Sequence, residues 1–228
     1  MTKVRFIGDV HGLVHELSEL LQNTSDVVSE VFQVGDMGVG FGESEYWRDR
    51  LNGMLEAKNA RWIRGNHDNP SVCKEMTTWI PDGTVKNDMM FIGGAWSIDR
   101  AHRTEGVNWW PNEELSMQEL YDMIDLYEVV RPKIMVTHDA PTSAATQMFF
   151  TENRPIAKFP QTNTRTAEAL ETMFQIHQPK LHVFGHWHYD VDKTINGTRF
   201  ICLNEMSHID VDVATCEVVW PSYLNVRK

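Results

Sequence analysis

The sequence predicts an α/β fold, for two reasons. Short apolar strands alternate with amphipathic helices along the chain, and five of the strands lead directly into a cluster of polar residues. With 228 residues, of which 42% are hydrophobic, the chain can bury a complete core. We therefore expect a single domain over residues 1–228 that contains βαβ units.

Eight segments have the length and apolar character of strands. They are residues 3–7, 28–34, 61–64, 88–95, 133–136, 181–184, 199–203 and 209–220. We expect the fourth of these segments to begin a second sheet packed on the first sheet, and we place the last two segments in that second sheet. Asn204 and Glu205, which follow the seventh segment, either reach the rim of a functional site or form an ordinary turn, and we favour the turn.

Apolar residues recur at helical spacing in four segments between these strands. The first helix, which extends to about Asn23, carries Leu13, Leu17, Leu20 and Leu21. The second helix carries Trp47, Leu51 and Leu55, and the third helix carries Leu120, Ile124 and Tyr127. The fourth helix, over residues 166–177, carries Ala169, Leu170, Met173 and Phe174. Each stripe predicts a helix that buries one face against a sheet.

Two longer segments do not have the pattern of a strand or a helix. Residues 97–114 combine charged side chains with Trp109 and Trp110, and we expect a functional loop whose tryptophans either stack on a substrate base or pack against the protein. Residues 142–162 place three phenylalanines among prolines and polar residues, which predicts a cap with little regular structure.

Composition limits the classes of function. The net charge of −11 and the pI near 5.3 argue against a long contact with nucleic-acid backbone, although a short nucleotide substrate stays compatible. The N-terminal residues lead straight into a strand rather than a signal peptide, and no apolar run approaches a membrane span, so we expect no membrane partner. Cys73, Cys202 and Cys216 are odd in number and scattered, which favours packing residues and a cytoplasmic location.

The polar clusters at the strand ends contain side chains that bind divalent metals. They are Asp9-Val10-His11, Gly35-Asp36-Met37-Gly38, Gly65-Asn66-His67-Asp68, Thr137-His138-Asp139-Ala140-Pro141 and Gly185-His186-Trp187-His188. Open α/β sheets bind ligands at the carboxyl ends of their strands, so we expect these clusters to lie together. Two neighbouring divalent metals need mixed oxygen and imidazole ligands with a shared carboxylate, and the clusters supply such a set.

In this order and context, the five clusters resemble the motifs of the calcineurin-like metallophosphoesterase superfamily over residues 9–188. The resemblance implies a four-layer α/β/β/α sandwich of two mixed sheets flanked by helices. It also implies two divalent metal ions, with Mn²⁺ as the first expectation and Fe, Zn²⁺ or Ni²⁺ as alternatives. The ligands would be Asp9, His11, Asp36 and His188 for the first metal, and Asp36, Asn66, His138 and His186 for the second.

The activity that the resemblance implies is hydrolysis of a phosphate ester by a hydroxide that bridges the two metals, with Asp36 as the bridging ligand. In similar proteins the histidine at the position of His67 protonates the leaving group or binds phosphate, and the alternative is a histidine that only packs the turn. Asp68 either orients His67 or caps the turn. Trp187, between two ligands, would point away from the metals.

The sequence differs from the protein Ser/Thr phosphatase branch after Asp36. That branch has Gly-Asp-x-x-Asp-Arg-Gly, and its second Asp and its phosphate-binding Arg are absent here. This difference favours a phosphodiesterase over a phosphomonoesterase or a protein phosphatase. Arg103 is our first candidate for a substitute phosphate ligand, with a surface ion pair as the alternative, and Arg64 is interpreted as part of a structural ion pair.

Two other classes of function stay open. One is a protein-binding scaffold whose metal site has decayed, although the complete ligand set argues against it. The other is a nuclease for long DNA or RNA, which needs a local basic groove; the candidates are Arg100, Arg103, Arg154 and Lys158. The expected partner is therefore a small phosphate ester or a nucleotide, and the sequence does not indicate an oligomeric state.

Overall fold

The computed structural model describes residues 3–151, 154–155, 163–222, 224 and 227. The strands, in chain order, are β1 (Lys3–Ile7), β2 (Val28–Gln33), β3 (Ala60–Trp62), β4 (Thr84–Lys86), β5 (Met89–Ile92), β6 (Ile134–Thr137), β7 (Phe150–Thr151), β8 (Arg154–Pro155), β9 (Leu181–Phe184), β10 (Val191–Ile195), β11 (Thr198–Cys202), β12 (His208–Asp212) and β13 (Glu217–Val219). The helices are α1 (Val14–Gln22), α2 (Glu45–Ala57), α3 (Pro70–Cys73), α4 (Met117–Val130), α5 (Thr142–Phe149) and α6 (Arg165–Ile176), with one turn of 3-10 helix at Arg100–His102.

Eleven of these strands form two mixed sheets. The order in the first sheet is β13-β12-β1-β2-β3, in which β1, β2 and β3 are parallel and β12 is antiparallel to both of its neighbours. The order in the second sheet is β10-β11-β9-β6-β5-β4, in which the four central strands are parallel and the two edge strands are antiparallel. Strands β7 and β8 pair separately.

The two sheets pack face to face over an apolar core, and helices cover their outer faces. Alternate side chains of a strand point to opposite faces. In β1, Phe6 therefore enters the core between the sheets, whereas Ile7 packs under α1 and α2. In β6, Ile134 enters the central core and Met135 packs under α4 and α6. The four-layer α/β/β/α sandwich is confirmed.

The prediction that the last strand segment belongs to the second sheet is wrong. Residues 199–203 correspond to β11 of the second sheet, as expected, but residues 209–220 form β12 and β13 of the first sheet. The pairing of β12 with β1 places Arg5 opposite Asp210, and the guanidinium donates two hydrogen bonds of 2.7 and 3.0 Å to the carboxylate. This ion pair and the complete burial of Ile209 favour the first sheet.

The expectation of little regular structure over residues 142–162 is wrong for residues 142–149, which form α5. One face of this helix buries Ala144, Ala145, Met148 and Phe149 against the second sheet, which is why it is helical. The predictions for Lys158 and Phe159 lie outside the described residues. Residues 97–114 form a long loop around the 3-10 turn, as expected. Across the described part of the chain, every helix is too short or too polar to traverse a bilayer.

His182 in β9 is a buried histidine of the core. The Thr137 hydroxyl donates to the Asp139 carbonyl oxygen, so its oxygen accepts a 2.8 Å hydrogen bond from His182 Nε2. The ring also packs on Phe200, with 5.1 Å between ring centroids. Burial lowers the pKa of His182 to about 3, so this side chain is neutral in the folded protein at neutral pH. An unfolded histidine takes up a proton near pH 6.5.

We expect this difference to make the protein less stable as the pH falls from about 6.5 towards 3, because only the unfolded chain gains the proton at His182. His182→Gln, which can keep the hydrogen bond to Thr137, should reduce the pH dependence of the unfolding free energy by up to about 1.4 kcal/mol per pH unit. Urea unfolding of chelator-treated protein at a series of pH values measures this slope. The exposed His15→Gln should behave as wild type, and an unchanged slope in His182→Gln would contradict the interpretation.

Candidate metal centre

All seven predicted ligands lie directly after strands, at the carboxyl edges of the two sheets. Asp9 and His11 follow β1, Asp36 follows β2, Asn66 follows β3, His138 follows β6, and His186 and His188 follow β9. The first sheet therefore supplies every oxygen ligand and His11, and the second sheet supplies the other three imidazoles. The edges of the two sheets face each other, and the side chains form two clusters.

The first cluster contains Asp9, His11, Asp36 and His188. Each of these residues offers one ligand atom, and the four atoms lie within 4.8 Å of one another. His188 Nε2 lies 3.0 Å from Asp9 Oδ2 and 3.1 Å from His11 Nε2. The two carboxylates are buried, whereas the two imidazoles approach from the solvent side. These are the four residues that the resemblance assigns to the first metal, and the structure brings them together.

The second cluster is centred on His138, which is completely buried. His138 Nε2 lies 3.3 Å from Asp36 Oδ1 and 3.2 Å from Asn66 Oδ1. The rings of His138 and His186 lie edge to face, with 5.1 Å between centroids. The His186 backbone N–H donates to both oxygens of Asp9, at 3.2 and 3.1 Å, and so connects the second cluster to the first.

Asp36 belongs to both clusters through the two oxygens of one carboxylate. Its Oδ1 faces His138 and its Oδ2 lies 3.7 Å from His11 Nε2. Burial alone would raise the pKa of Asp36, but the neighbouring imidazoles, His138 above all, bring the pKa well below its usual value. Asp36 is therefore a carboxylate at neutral pH, as a bridging ligand has to be. Burial lowers the pKa of His186, which leaves that ring neutral and able to coordinate a metal.

The backbone at the site is strained. Four of the seven candidate ligands have positive φ angles: His11 at 47°, Asp36 at 59°, His186 at 65° and His188 at 53°. Side chains other than glycine rarely adopt this conformation, and such residues concentrate at functional sites. The fold therefore holds these four side chains in the cluster at a conformational cost.

Glycines beside the ligands make room for the clusters. A Cβ atom at Gly65 would lie 2.0 Å from Asp36 Oδ1, and one at Gly185 would lie 2.1 Å from Asp9 Oδ1. At either position a larger residue would displace a buried carboxylate. The Gly-Asn and Gly-His pairs in the sequence motifs therefore have a steric cause.

Outer partners fix the orientation of two ligands in the second cluster. His138 Nδ1 donates to the Val34 carbonyl oxygen at 2.9 Å, which turns Nε2 towards the site. Asn66 Nδ2 donates to Ser97 Oγ at 3.0 Å, which turns Oδ1 towards the site. Ser97 in turn donates to Glu113 through its hydroxyl and, at 2.9 Å, through its backbone N–H. Carboxylate, amide oxygen and imidazole ligands oriented in this way fit two divalent ions.

Sequence reasoning missed Ser97 and Glu113, although both lie in the loop that was expected to be functional. Both side chains are buried, and burial raises the pKa of Glu113. A buried Ser and a buried Glu in a loop with many polar residues have no periodicity that distinguishes them. Only the long-range contact with Asn66 indicates their role.

Asp68 holds the loop that carries Asp36. Its two oxygens accept hydrogen bonds from four backbone N–H groups, those of Met37, Gly38, Val39 and Gly65, at 2.7–3.2 Å. Burial and the neighbouring Asp36 raise the pKa of Asp68 to about 6. Of the two sequence interpretations, these contacts favour the turn cap over the orientation of His67.

His67 and Arg103 lie together at the edge of the site. The His67 backbone N–H donates to Asp36 Oδ1 at 2.7 Å, and burial lowers the pKa of its imidazole. Arg103 forms a two-bonded ion pair with Asp99, at 2.6 and 2.8 Å, and its Nη2 lies 3.1–3.2 Å from the His67 ring nitrogens. Of the two interpretations of Arg103, a phosphate ligand or an ion pair, the structure therefore shows the ion pair. This ion pair lies against the ring of His67.

Other candidate residues have packing roles. Arg64 is buried and pairs with Asp82 at 3.0 Å, which confirms the structural interpretation. Trp110 is buried with its ring edge to face with Phe41. The Trp187 ring stacks on Phe149 at 4.4 Å and so points away from the ligands, as expected.

A cleft of about 430 Å³ opens over both clusters. The residues that line it are Asp36, Asn66, His67, Ile98, Asp99, His186, Trp187, His188 and Tyr189. Two sheets whose facing edges carry carboxylate and imidazole side chains below an open cleft define a class of α/β proteins that could hold metal ions at the floor of that cleft.

Comparison with known proteins identifies the family. Residues 2–190 match calcineurin-like phosphoesterases, and the chain belongs to this family. The curated proteins contain no match. Similar folds occur in the protein TT1561 of Thermus thermophilus (TM-score 0.56, 11% identity, covering 96% of this chain and 99% of that chain) and in GAP50, the anchor in the inner membrane complex of Plasmodium (0.52, 12%, 100% and 90%). Phosphopantetheinyl hydrolase of Mycobacterium tuberculosis is also similar (0.51, 14%, 90% and 90%), and at these identities the likeness concerns the fold alone.

Ser97→Ala should weaken Mn²⁺ binding by about 10–100-fold, because Asn66 loses the acceptor that orients its amide. Isothermal titration calorimetry measures the affinity, and far-UV circular dichroism checks the fold. Ser29→Ala, which removes a surface hydroxyl that donates to the Lys3 carbonyl oxygen, is the matched control and should bind Mn²⁺ as wild type does. Wild-type affinity in Ser97→Ala would show that Ser97 does not orient Asn66.

Proposed function

We propose that the protein is a dinuclear-metal hydrolase of phosphate esters that prefers small phosphodiesters. The observation that carries this proposal is the carboxylate of Asp36, whose two oxygens face the two ligand clusters. A shared carboxylate between two sets of mixed oxygen and nitrogen ligands is what a pair of divalent metals needs. Family membership supports phosphate-ester chemistry at this site.

In this proposal Asp9, His11, Asp36 and His188 hold the first metal, and Asp36, Asn66, His138 and His186 hold the second. When bound, two divalent cations supply Lewis acidity, which lowers the pKa of water and draws charge from phosphate oxygens. The ligand set accepts Mn²⁺, our first choice, as well as Fe, Zn²⁺ or Ni²⁺.

His67 is the group that we propose to act on the leaving oxygen. Its backbone is fixed to Asp36, and its ring lines the cleft between the ligands and Asp99. Burial lowers the pKa of His67, the Asp36 carboxylate partly offsets this, and the adjacent Arg103 lowers the pKa further. The protonated ring is thus a stronger acid than a free histidine, and a smaller fraction of the rings carries that proton at neutral pH. Arg103 Nη2, which lies 3.1–3.2 Å from the two ring nitrogens, can donate to the unprotonated nitrogen when the ring is neutral.

The cleft supports a small substrate with little negative charge. Its volume of about 430 Å³ lies in the range typical of small-molecule sites. Among the described residues that line it there is no lysine or arginine, and the carboxylate of Asp99 is already paired with Arg103. The second charge of a monoester would need a cationic side chain beside the metals, whereas a diester, which carries one charge, does not. The cleft therefore favours a diesterase over a monoesterase.

The same charges count against the nuclease alternative. Arg103 pairs with Asp99, and the Arg100 guanidinium lies over the Trp96 ring at 4.5 Å. The side chain of Arg154 and all of Lys158 lie outside the described residues. The scaffold alternative is supported only by the fold, which GAP50 shares. We also propose a cytoplasmic location, on the basis of three free cysteines.

The proposed activity is tested with Mn²⁺-loaded protein against a bis-aryl phosphate diester, an aryl phosphate monoester, cyclic nucleotides, a phosphopeptide and single-stranded DNA. We expect the diester to be hydrolysed fastest. Asp36→Asn should lose more than about 100-fold, beyond the loss typical of outer-shell changes, while Asp49→Asn on the exposed face of α2 should stay active. Fastest turnover of the monoester would replace the diesterase by a phosphomonoesterase. Metal binding without turnover of any compound would favour the scaffold.

The role of His67 predicts a dependence on the leaving group. His67→Ala should keep its metal content, measured by atomic emission, but lose about 100–10,000-fold in kcat with a diester that has an alkyl leaving group. The loss should be much smaller with a nitrophenyl leaving group, which departs without a proton. His15→Ala, on the exposed surface of α1, serves as the control. Equal losses with both leaving groups would remove the acid role.

A further inference from the structure

Glu205 lies beside the first cluster, in the loop between β11 and β12, and its side chain is 48% exposed. The sequence offers two interpretations there, the rim of the site and an ordinary turn, and favours the turn. In the structure its Oε1 lies 3.5 Å from His188 Nδ1 and 3.8 Å from His11 Nε2. Glu205 therefore faces both imidazoles of the first cluster.

The loop that carries Glu205 is tied to both sheets. The Met206 backbone N–H donates to the Asp9 carbonyl oxygen at 2.9 Å, and Leu203 N–H donates to the Phe184 carbonyl oxygen at 2.9 Å. Asp190 accepts from Asn204 N–H at 3.0 Å and from the Ser207 hydroxyl at 2.9 Å. These bonds on either side of Glu205 fix its backbone next to the metal ligands.

His188 turns its two ring nitrogens to different partners. Nε2 faces the interior of the cluster, 3.0 Å from Asp9 Oδ2, and Nδ1 faces outward to Glu205. The two ring nitrogens of His138 also face different partners: Nε2 lies inside the second cluster, and Nδ1 donates to the Val34 carbonyl oxygen. Histidines that bind metals commonly donate their second N–H to a carboxylate or a carbonyl oxygen, which fixes the tautomer and raises the basicity of the coordinating nitrogen.

We propose that Glu205 is a positioning residue of the first metal site. It accepts the Nδ1–H of His188, holds Nε2 towards the metal and adds a third carboxylate around the first cluster. The corresponding partner in the second cluster is the neutral Val34 carbonyl. Glu205 thus adds to the negative charge that Asp9 and Asp36 already give the first site and strengthens its hold on a divalent cation. This proposal rests on the metal-ligand assignment of the proposed function.

The first test isolates each site by variants and measures Mn²⁺ affinity by calorimetry. In an Asn66→Ala background, which disables the second site, Glu205→Gln should weaken the remaining site by about 10–100-fold. In a His11→Ala background, which disables the first site, Glu205→Gln should leave the affinity unchanged. Glu19→Gln is the matched control, because its carboxylate faces His15 Nδ1 at 3.8 Å on the surface of α1. It should have no effect in either background.

The second test reads the tautomer of His188 and needs only the single variants Glu205→Gln and Glu205→Ala. In Zn²⁺-loaded wild type, the long-range ¹H–¹⁵N spectrum should show His188 protonated at Nδ1, with slow exchange of that proton. Exchange should be faster in Glu205→Ala and intermediate in Glu205→Gln. Equal exchange in all three proteins overturns the proposal. So does an unchanged affinity of the first site, or an equal loss at both sites, which a long-range charge effect would produce. Neither readout involves turnover, so failure of the esterase assays would not affect these tests.

Discussion

The site depends on one constraint, which is that the charged carboxylate of Asp36 is buried between the edges of two sheets. A buried charge needs compensating partners. One oxygen accepts the His67 backbone N–H and faces His138, and the other faces His11. The loop has a left-handed backbone at Asp36, and Asp68 holds it in place by accepting hydrogen bonds from three of its N–H groups, those of Met37, Gly38 and Val39. Gly65 leaves the space that the carboxylate occupies.

The packing of the two sheets determines the geometry of the metal centre. Oxygen ligands come mainly from the first sheet and imidazoles mainly from the second, so neither sheet makes a metal site alone. Hydrogen bonds cross between the sheets at the ligands themselves, from His138 to the Val34 carbonyl oxygen and from the His186 N–H to Asp9. The apolar core between the sheets sets the distance across which these bonds reach. A change of packing in that core would therefore change the distances between the ligands in both clusters.

Features that are formed by neighbouring residues could be predicted from the sequence. Each ligand follows its strand within a few residues, so the strand, the glycine and the polar cluster are visible together, as in Gly35-Asp36. The partner of a strand is not local, which is why residues 209–220 were placed in the wrong sheet. Contacts such as that of Ser97 with Asn66, or of Glu205 with His188, join distant positions and leave no spacing to recognise. The role of Asp68 could not be predicted because the groups that donate hydrogen bonds to it are backbone N–H groups. Nearly every residue type has such a group, so the sequence does not distinguish them.

The position of β1 has a consequence for the order of assembly during synthesis. Strands β1, β2 and β3 are parallel and follow one another closely, so they can pair as soon as they leave the ribosome. The other edge of β1 pairs with β12, through contacts such as Arg5–Asp210 that are separated by 205 positions in the chain. Until the ribosome has released that strand, β1 presents an open edge on which another nascent chain can pair. The C-terminal strands therefore both complete the first sheet and close this edge against aggregation.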